Sequence, residues 1–434
     1  MNILVNLISI LKDDKNSNIV VLFINSIFVL SALFIAYNFS PYPEFDELAY
    51  ISHVETIVES PNYYYLGDRN RMPLFNYFLF SFYLIKLPSI DLYRVYQLAN
   101  IFFTTVFSIW YCVKIKKFFK TNLAYFSCIV FTIFIPVFSF IHDVLVEPIF
   151  YLSFGLLFIF FIELLNELNF KNAIKFGAIC LMVYSLKATG FFLLIISLLF
   201  LITKKIVENK KISFLELSKI FSSLLFFLLL ASPYLYENYI NYNKQIFYNV
   251  NSTFYVWYDT WEEVENGTKL YGDRVGWPKM PEEEIPSFSK YVETHSLKEI
   301  INRFIKGYTN ILKYYFSINE FTGSLTLSLV ILLLHLKIRM EKVSKMAVFE
   351  KTKLWTYYLG FVSLFILTST AWYQLTSSVQ RFSILIFVPL YFLIFLYFDN
   401  LFSSGGDTKE RKDFLFIVFG FTITQTTIFV NYLI

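Results

Sequence analysis

The sequence predicts an all-α polytopic membrane protein. Of its 434 residues, 56% are hydrophobic and only 16% are charged. Apolar runs near the roughly 20 residues that cross a bilayer recur along the chain, and basic residues collect in alternate connections between those runs. The small, dispersed net charge of +4 does not fit a nucleic-acid-binding protein. Three cysteines, each in a separate apolar run, do not fit a disulfide framework.

The apolar runs predict about eleven transmembrane helices. Before the first run, residues 1–16 have the apolar spacing of a helix that lies on the cytoplasmic membrane face. One further run, 73–88, is short and bounded by prolines, and we expect it to be half-embedded in the outer leaflet. The predicted spans are 17–39, 92–113, 121–141, 145–165, 172–186, 188–203, 214–235, 321–338, 354–372, 382–398 and 413–433.

The distribution of Lys and Arg predicts the orientation of the chain. If 73–88 does not cross, all the basic connections lie on the side of the N-terminus, whereas the opposite connections 142–148 and 371–381 carry almost no positive charge. Short cytoplasmic loops collect Lys and Arg, so the N-terminus is predicted to be cytoplasmic. The small loops favour a bacterial plasma membrane. The basic connections are 114–120, 166–175, 203–211, 337–353 and 399–413.

Two longer segments, 40–91 and 236–320, are predicted to lie on the outer face. The chain then divides into the interfacial helix 1–16, an N-terminal membrane module 17–235 that includes the loop 40–91, an outer loop domain 236–320, and the C-terminal membrane helices 321–434. The acidic and aromatic residues of 257–277 fit either the small core of an outer cap or a surface that stacks on carbohydrate.

Acidic and basic residues in the first outer loop point to a site. Asp46 and Glu47 follow the first span closely, and Arg69 and Arg71 precede the half-embedded run. Asp46 fits the first turn of a helix, where a carboxylate accepts backbone N–H bonds. It also fits a general base, with the arginines as donors for a lipid phosphate, because a guanidinium offers two parallel N–H groups to phosphate.

The order of these motifs resembles that of the GT-C glycosyltransferases. Asp46, Glu47 and Tyr50 match the D-E-x-x-Y element that follows the first span in protein O-mannosyltransferases and in bacterial aminoarabinose lipid A transferases. Arg71 and the following "MPL" match their basic-Pro-Pro-Leu element, with Met72 in place of one proline. A second departure is alanine at position 49, where the aminoarabinose transferases carry arginine.

Later motifs continue the resemblance over most of the membrane part. "HDVLVEP" is similar to the element in which an acidic residue, here Asp143 or Glu147, precedes a proline that opens a span. "SLKATG" resembles a Lys-x-x-Gly opening at Lys187, and "VQRF" resembles an arginine-aromatic opening at Arg381. The resemblance implies a GT-C-type helical bundle with juxtamembrane helices in the first outer loop and a larger outer loop.

The resemblance also implies an activity, the transfer of a sugar from a polyprenyl-phosphate donor to a lipid, glycan or protein acceptor with inversion at the anomeric carbon. Asp46 would act as general base and Glu47 would orient the acceptor or the base. No cofactor is certain, and a divalent metal near His142 stays an alternative. The residues expected to bind substrates are Tyr50, Arg69, Arg71, Asp143, Glu147, Lys187 and Arg381.

Other interpretations stay open at this stage. Lys187 also fits a side chain that reaches from a span to the interface, and Arg381 also fits an orientation anchor. A polysaccharide polymerase or ligase that acts on lipid-linked repeats would concentrate basic residues in the large outer loop, which here is rich in acid. A transporter or flippase would carry inverted repeats and charges at mid-membrane, and neither is evident in the sequence.

Overall fold

A computed structural model of the protein is helical wherever it shows regular secondary structure. This confirms the all-α fold class for the described part of the chain. The described residues are 17–40, 42–44, 46–64, 66, 71–85, 90–133, 140–241, 246, 257–271, 281, 286–317, 321–338, 347–372, 379–403 and 418.

The helices follow one another with short connections through the first half of the chain. The first nine are α1 (Ser17–Phe39), α2 (Asp46–Glu59), α3 (Pro73–Tyr83), α4 (Leu92–Lys116), α5 (Asn122–Ile133), α6 (Glu147–Asn166), α7 (Phe170–Leu186), α8 (Thr189–Asn209) and α9 (Phe214–Asn241). The later ones are α10 (Trp261–Tyr271), α11 (Phe288–Thr294), α12 (Leu297–Phe316), α13 (Phe321–Ile338), α14 (Ala347–Trp372), α15 (Val379–Ser383) and α16 (Phe387–Ser403). Short 3₁₀ turns lie at Pro61–Tyr63 and Ile384–Ile386.

Within the described residues, seven helical segments are long and apolar enough to cross a membrane. They support the prediction of a multi-pass membrane protein. The apolar parts of α5 and α13 are shorter, and α7 has 17 residues. The N-terminal segment 1–16 and, except for residue 418, the predicted eleventh span 413–433 lie outside the described residues, so the count of eleven stays a prediction. The seven segments are Val21–Asn38, Leu92–Lys116, Glu147–Asn166, Thr189–Asn209, Phe214–Ile240, Thr352–Trp372 and Arg381–Ser403.

Helix α3 is too short to cross a bilayer. Its 11 residues rise about 16 Å at roughly 1.5 Å per residue, about half of the hydrocarbon core. Pro73 opens the helix, where the missing N–H of proline leaves no hydrogen bond unmade. Phe78 then stacks on Phe103 of α4 with ring centroids 4.2 Å apart. The helix in 73–88 is thus shorter than a span, and its half-embedded position stays a prediction.

Helix α6 forms the centre of the bundle. In its apolar segment 94% of the residues are buried, and it packs against α4, α7 and α16. Gly155 allows α4 and α16 to approach closely, because an added Cβ would lie 2.8 Å from the Tyr111 ring and 2.7 Å from Val388. A larger side chain at this position would force the two neighbouring helices apart.

The helix ends fall into two groups. At the first-loop end of the bundle, where α1 ends and α6 begins, Arg94 of α4 donates from Nη1 to the carbonyl of Ser40 at 3.0 Å. At the basic end, where α4 and α6 end, Lys117 pairs with Glu163 and Lys205 with Glu216. Chain direction thus places the described parts of 40–91 and the residues 140–146 at the same end, as the charge pattern predicts.

The described parts of 236–320 contain the helices α10, α11 and α12. Asp259, which precedes α10, joins the other two helices by polar contacts. It accepts hydrogen bonds from Tyr291 of α11 at 2.8 Å and from Arg303 of α12 at 2.9 Å, and it contacts His295 at 2.9 Å. Trp257 packs against Tyr291 with ring centroids 6.4 Å apart. These contacts fit the core of a cap, while the description of 236–320 as a domain and its binding of carbohydrate stay predictions.

A buried aspartate ties α16 to the start of α5 at the basic end. Asp399 is 1% exposed. Its Oδ2 accepts from the backbone N–H of Lys120 at 2.8 Å, and its Oδ1 accepts from the backbone N–H of Thr121 at 2.7 Å. We expect Asp399→Asn to lower the free energy of unfolding by about 1–3 kcal/mol, because the new amide N–H₂ faces a backbone donor and loses an acceptor.

Thermal unfolding in detergent measures this effect. The control is Glu163→Gln, which loses only a pair with the half-exposed Lys117, worth about 0–1 kcal/mol. Equal melting temperatures for wild type and Asp399→Asn would contradict the structural role of Asp399.

Candidate functional site

Five charged side chains from five parts of the chain meet at the first-loop end. Each lies where a helix begins or ends, so chain direction brings all five to one level of the bundle. Asp46 is the first residue of α2, Arg71 precedes α3, Glu147 opens α6, Lys187 follows α7 and Arg381 lies in α15. We call this group the charged cluster.

Asp46 lies between two arginines. Its Oδ1 is 2.8 Å from Nη2 of Arg71 and its Oδ2 is 2.5 Å from Nη2 of Arg381. Burial alone would raise the pKa of Asp46, but the two guanidinium groups outweigh this and hold it well below its usual range. Both oxygens of Asp46 thus pair with arginine, and its assignment as general base stays a prediction. The Arg71 guanidinium also lies over the ring of Tyr50, 4.7 Å from its centroid.

Glu147 contacts Lys187 and shares Arg381 with Asp46. Its Oε1 is 2.7 Å from Nζ of Lys187 and 3.7 Å from Nε of Arg381, and its side chain is 3% exposed. Tyr151, one turn further along α6, donates to the backbone carbonyl of Arg381 at 2.6 Å. Phe382 packs beside both cations, its ring centroid 5.1 Å from Lys187 Nζ and 5.3 Å from Arg381 Cζ. These contacts fix the position of the Arg381 side chain.

The charged cluster has a net positive charge and a buried acceptor. Its three cations exceed its two carboxylates by one, so an anion would balance it. Oε2 of Glu147 is buried and has no hydrogen-bond partner in the described part of the chain. A buried acceptor without a donor destabilises the fold unless a ligand or water supplies one. The charged cluster therefore combines one excess positive charge with one buried acceptor oxygen.

Glu47 points away from the charged cluster and joins two loops. Its Oε1 accepts from the Tyr93 hydroxyl at 2.8 Å and from the backbone N–H of Val144 at 2.6 Å, and its Oε2 accepts from the backbone N–H of Glu44 at 2.8 Å. Burial raises the pKa of Glu47, against the effect of the two backbone donors. This geometry makes Glu47 a positioning residue for the loop that carries Asp143.

Asp143 is the second carboxylate of that network. It accepts a hydrogen bond from Ser40 at 3.2 Å and lies 3.5 Å from Nε2 of His142. Burial raises the pKa of Asp143 to about 6, aided by Glu44 and Glu147 and opposed by the Ser40 hydroxyl. Burial also lowers the pKa of His142 to about 4, so this imidazole is neutral at pH 7. Across the described residues, no three His, Cys, Asp or Glu side chains are placed to hold a metal ion.

Three polar residues of α4 hold the two loops in place. Arg94 and Gln97 both donate to the carbonyl of Ser40, at 3.0 and 3.1 Å. Gln97 also donates to the carbonyl of His142 at 2.7 Å, and Asn100 donates to the next carbonyl of that loop at 2.6 Å. Sequence reasoning did not single out Gln97 and Asn100. Together with Arg94 they recur every third residue on one face of the otherwise apolar α4, and this pattern could have identified them.

The structure thus places Asp46, Tyr50, Arg71, Glu147, Lys187 and Arg381 together, with Glu47 and Asp143 in the adjoining network. Arg69 lies outside the described residues. No protein-family model matches the chain, and no curated protein matches it. The assignment of a function therefore depends on this geometry and on the resemblance of the motifs.

The raised pKa of Asp143 predicts a pH-dependent stability. The folded protein keeps the proton on Asp143 up to about pH 6, whereas an unfolded chain releases it near pH 4. Between these values the folded state binds more protons, so the free energy of unfolding falls as pH rises and stays lower above pH 6. We expect Asp143→Asn to remove this loss, which is on the order of 2 kcal/mol.

Melting temperatures in detergent at about pH 5 and about pH 7.5 test this expectation. Asp143→Asn keeps an acceptor for Ser40, so the variant should gain stability over wild type at both pH values. The gain should be about twice as large at the higher pH, because only about half of the loss has accumulated at pH 5. An equal change at both values would contradict the assignment of the titration to Asp143.

Proposed function

We propose that the protein is a membrane glycosyltransferase that moves a sugar from a polyprenyl-phosphate donor to an acceptor on the outer face of the plasma membrane. The observation that carries the proposal is the position of Asp46 between Arg71 and Arg381 at one end of an apolar helical bundle. The motif order of the GT-C glycosyltransferases supports it. The acceptor is a lipid, a glycan or a protein, and the donor sugar is a hexose or a pentose.

The cations of the charged cluster suit the phosphate of such a donor. Arg71 and Arg381 each carry a planar guanidinium that can bind two phosphate oxygens, and Lys187 adds a third positive charge nearby. A phosphate would balance the net charge of the cluster and would be stabilised as the leaving group when the glycosidic bond breaks. The hydrocarbon tail of the donor would lie along the apolar helices.

The same arginines explain how Asp46 becomes a base. In the absence of donor, the two guanidinium groups make Asp46 a weak proton acceptor. A bound phosphate competes for their N–H groups and adds negative charge beside Asp46, and both effects raise its pKa. Asp46 then takes the proton of the acceptor hydroxyl or amine as that group attacks the anomeric carbon. The bond from this carbon to the phosphate oxygen breaks, polyprenyl phosphate leaves, and the configuration inverts.

Transfer assays with the purified protein in detergent test this function. A panel of radiolabelled polyprenyl-phosphate sugars is supplied with a membrane extract that contains lipid, glycan and protein acceptors, and monodisperse elution verifies the fold. Transfer from a monophosphate donor is the expected result. Transfer from pyrophosphate-linked repeats alone would favour the polymerase or ligase, and movement of a lipid-linked sugar across proteoliposomes without transfer would favour a flippase.

The phosphate role of Arg71 gives a quantitative prediction. We expect Arg71→Ala to reduce kcat/KM for the donor roughly 10- to 100-fold, because hydrogen bonds to a charged group contribute about 1.5–3 kcal/mol. Arg71→Lys keeps the charge but loses the planar fork, so its activity should fall between those of wild type and Arg71→Ala. Lys211→Ala, an exposed change at the basic end, is the control. Full activity of Arg71→Ala would contradict the role.

A further inference from the structure

Helix α12 presents a continuous apolar stripe at its surface. The side chains of the stripe are 48–73% exposed with respect to the rest of the described chain. They are spaced by four or seven residues, which places them along one face of the helix. The stripe consists of Leu297, Ile301, Ile305, Leu312 and Phe316.

The opposite face of α12 is fixed against the end of α14. Arg303, Gly307 and Ile311 are buried there. Gly307 lies so close to α14 that an added Cβ would be 2.1 Å from the carbonyl oxygen of Ala371, and Arg303 donates to the carbonyl of Trp372 at 3.2 Å. The rotation of α12 about its axis is therefore determined, and the stripe cannot turn inward.

Helix α12 lies beside the ends of two candidate membrane spans. The candidate span Thr352–Trp372 ends beside α12, and the Tyr308 hydroxyl pairs with Thr368 in the last turns of that span. Near the other end of α12, Tyr315 donates to the carbonyl of Ser383, at the start of the span Arg381–Ser403, at 3.5 Å. The stripe thus lies at the level where one candidate span ends and another begins.

The border of the stripe is positively charged. Lys298, Lys306 and Lys313 are exposed beside the apolar residues. The acidic residue of α12, Glu299, lies in the first turn and forms a capping box with Ser296. An apolar face with a border of lysines is the pattern of helices that lie in a membrane interface, where lysine stems extend toward headgroup phosphates.

We propose that α12 lies in the plane of the outer membrane interface, with the apolar stripe among the acyl chains and the three lysines against the phosphates of anionic phospholipids. This would also position the cap, because Arg303 of α12 holds Asp259 at 2.9 Å. The proposal is independent of the glycosyltransferase activity, since it depends only on the surface of α12.

Fluorescent probes on single introduced cysteines test the depth of the stripe. Ile305→Cys and Leu312→Cys place a probe on the stripe, and Asn302→Cys places a matched probe on the polar side of α12. The native cysteines 112, 128 and 180 are buried, and the labelled wild type gives the background signal. In proteoliposomes, we expect the stripe probes to emit at shorter wavelength and to be quenched by doxyl lipids at least about twofold more than the Asn302 probe.

Two results would overturn the proposal. If aqueous iodide quenches the stripe probes as efficiently as it quenches the Asn302 probe, the stripe faces water. Weak quenching by both iodide and doxyl lipids would mean that protein covers it. A surface cysteine on this exposed stripe does not disturb the buried contacts of α12, so correct folding is expected and is verified by elution.

The charge requirement is tested by changing the lipid. Doxyl quenching of the Ile305 probe should rise when part of the phosphatidylcholine is replaced by phosphatidylglycerol, and this rise should disappear in the triple variant Lys298→Gln/Lys306→Gln/Lys313→Gln. The control triple variant, Lys171→Gln/Lys210→Gln/Lys211→Gln, changes exposed lysines at the basic end and should keep the rise. Equal responses of both triple variants would overturn the assignment of anionic lipid to α12.

Discussion

Asp46→Asn should abolish nearly all sugar transfer, with a loss in kcat of roughly 10²- to 10⁴-fold. An amide has almost the same shape as the carboxylate but cannot accept the proton of the acceptor hydroxyl. The assay is transfer from the preferred polyprenyl-phosphate sugar under saturating donor. Because the change also removes both arginine pairs, elution and melting temperature must be measured with it.

A matched control separates the chemistry from the fold. Asp91 lies at the same end of the bundle and caps α4 by accepting the backbone N–H of Tyr93 at 2.7 Å. Asparagine caps helices as well as aspartate does, so Asp91→Asn should retain full transfer. A well-folded Asp46→Asn variant with full turnover would contradict the assignment of Asp46 as the base.

The pH dependence of transfer tests how Asp46 becomes basic. The profile of kcat/KM reports the free enzyme, whereas that of kcat reports the complex with donor. Because donor phosphate draws the two guanidinium groups away from Asp46, the acid limb should lie at higher pH in kcat than in kcat/KM. The same pH profiles are measured in the Asp143→Asn variant, which lacks the carboxyl group that titrates near pH 6. Coincident acid limbs would mean that the arginines stay on Asp46 after donor binds.

The residues of the charged cluster were predictable because each borders an apolar run. Once alternate basic connections fix the direction of the chain, every run that begins or ends at the first-loop end brings its flanking polar residues to one level. This is why Asp46, Glu147, Lys187 and Arg381 meet although they are widely separated in sequence. The short helix α3 was predictable for a related reason, since prolines bound a run too short to cross.

The pairing within the cluster was not predictable. Sequence patterns place residues at a level of the membrane but do not fix the rotation of each helix, and rotation decides which side chains touch. Glu47 and Asp46 are adjacent in α2, yet Asp46 faces Arg71 and Glu47 faces Tyr93, because neighbouring residues on a helix point about 100° apart. The partners of the two carboxylates therefore follow only from the way α2 packs against α3 and from the contact of Glu47 with Tyr93 of α4.

The largest expected loss of stability comes from breaking the buried pair of Glu147 and Lys187. Glu147→Gln should lower the free energy of unfolding by about 3–5 kcal/mol, because it leaves the Lys187 ammonium without its partner at 2.7 Å. Lys187→Met should be less harmful, since Arg381 stays 3.7 Å from Glu147 and retains part of the compensation. The measurement is thermal unfolding in detergent.

The double variant Glu147→Gln/Lys187→Met decides between two roles for Lys187. If the ammonium belongs to the charged cluster, the double variant should be more stable than the sum of the single changes implies, with a coupling of about 1–3 kcal/mol. If Lys187 only extends from its span to the interface, its substitution should have little effect and the coupling should be near zero. The pair of Lys204 and Glu208, one turn apart on α8 with Glu208 49% exposed, gives the scale for a weak interaction, about 0.5 kcal/mol. A large coupling would mean that the Lys187 ammonium is paired with Glu147 inside the charged cluster.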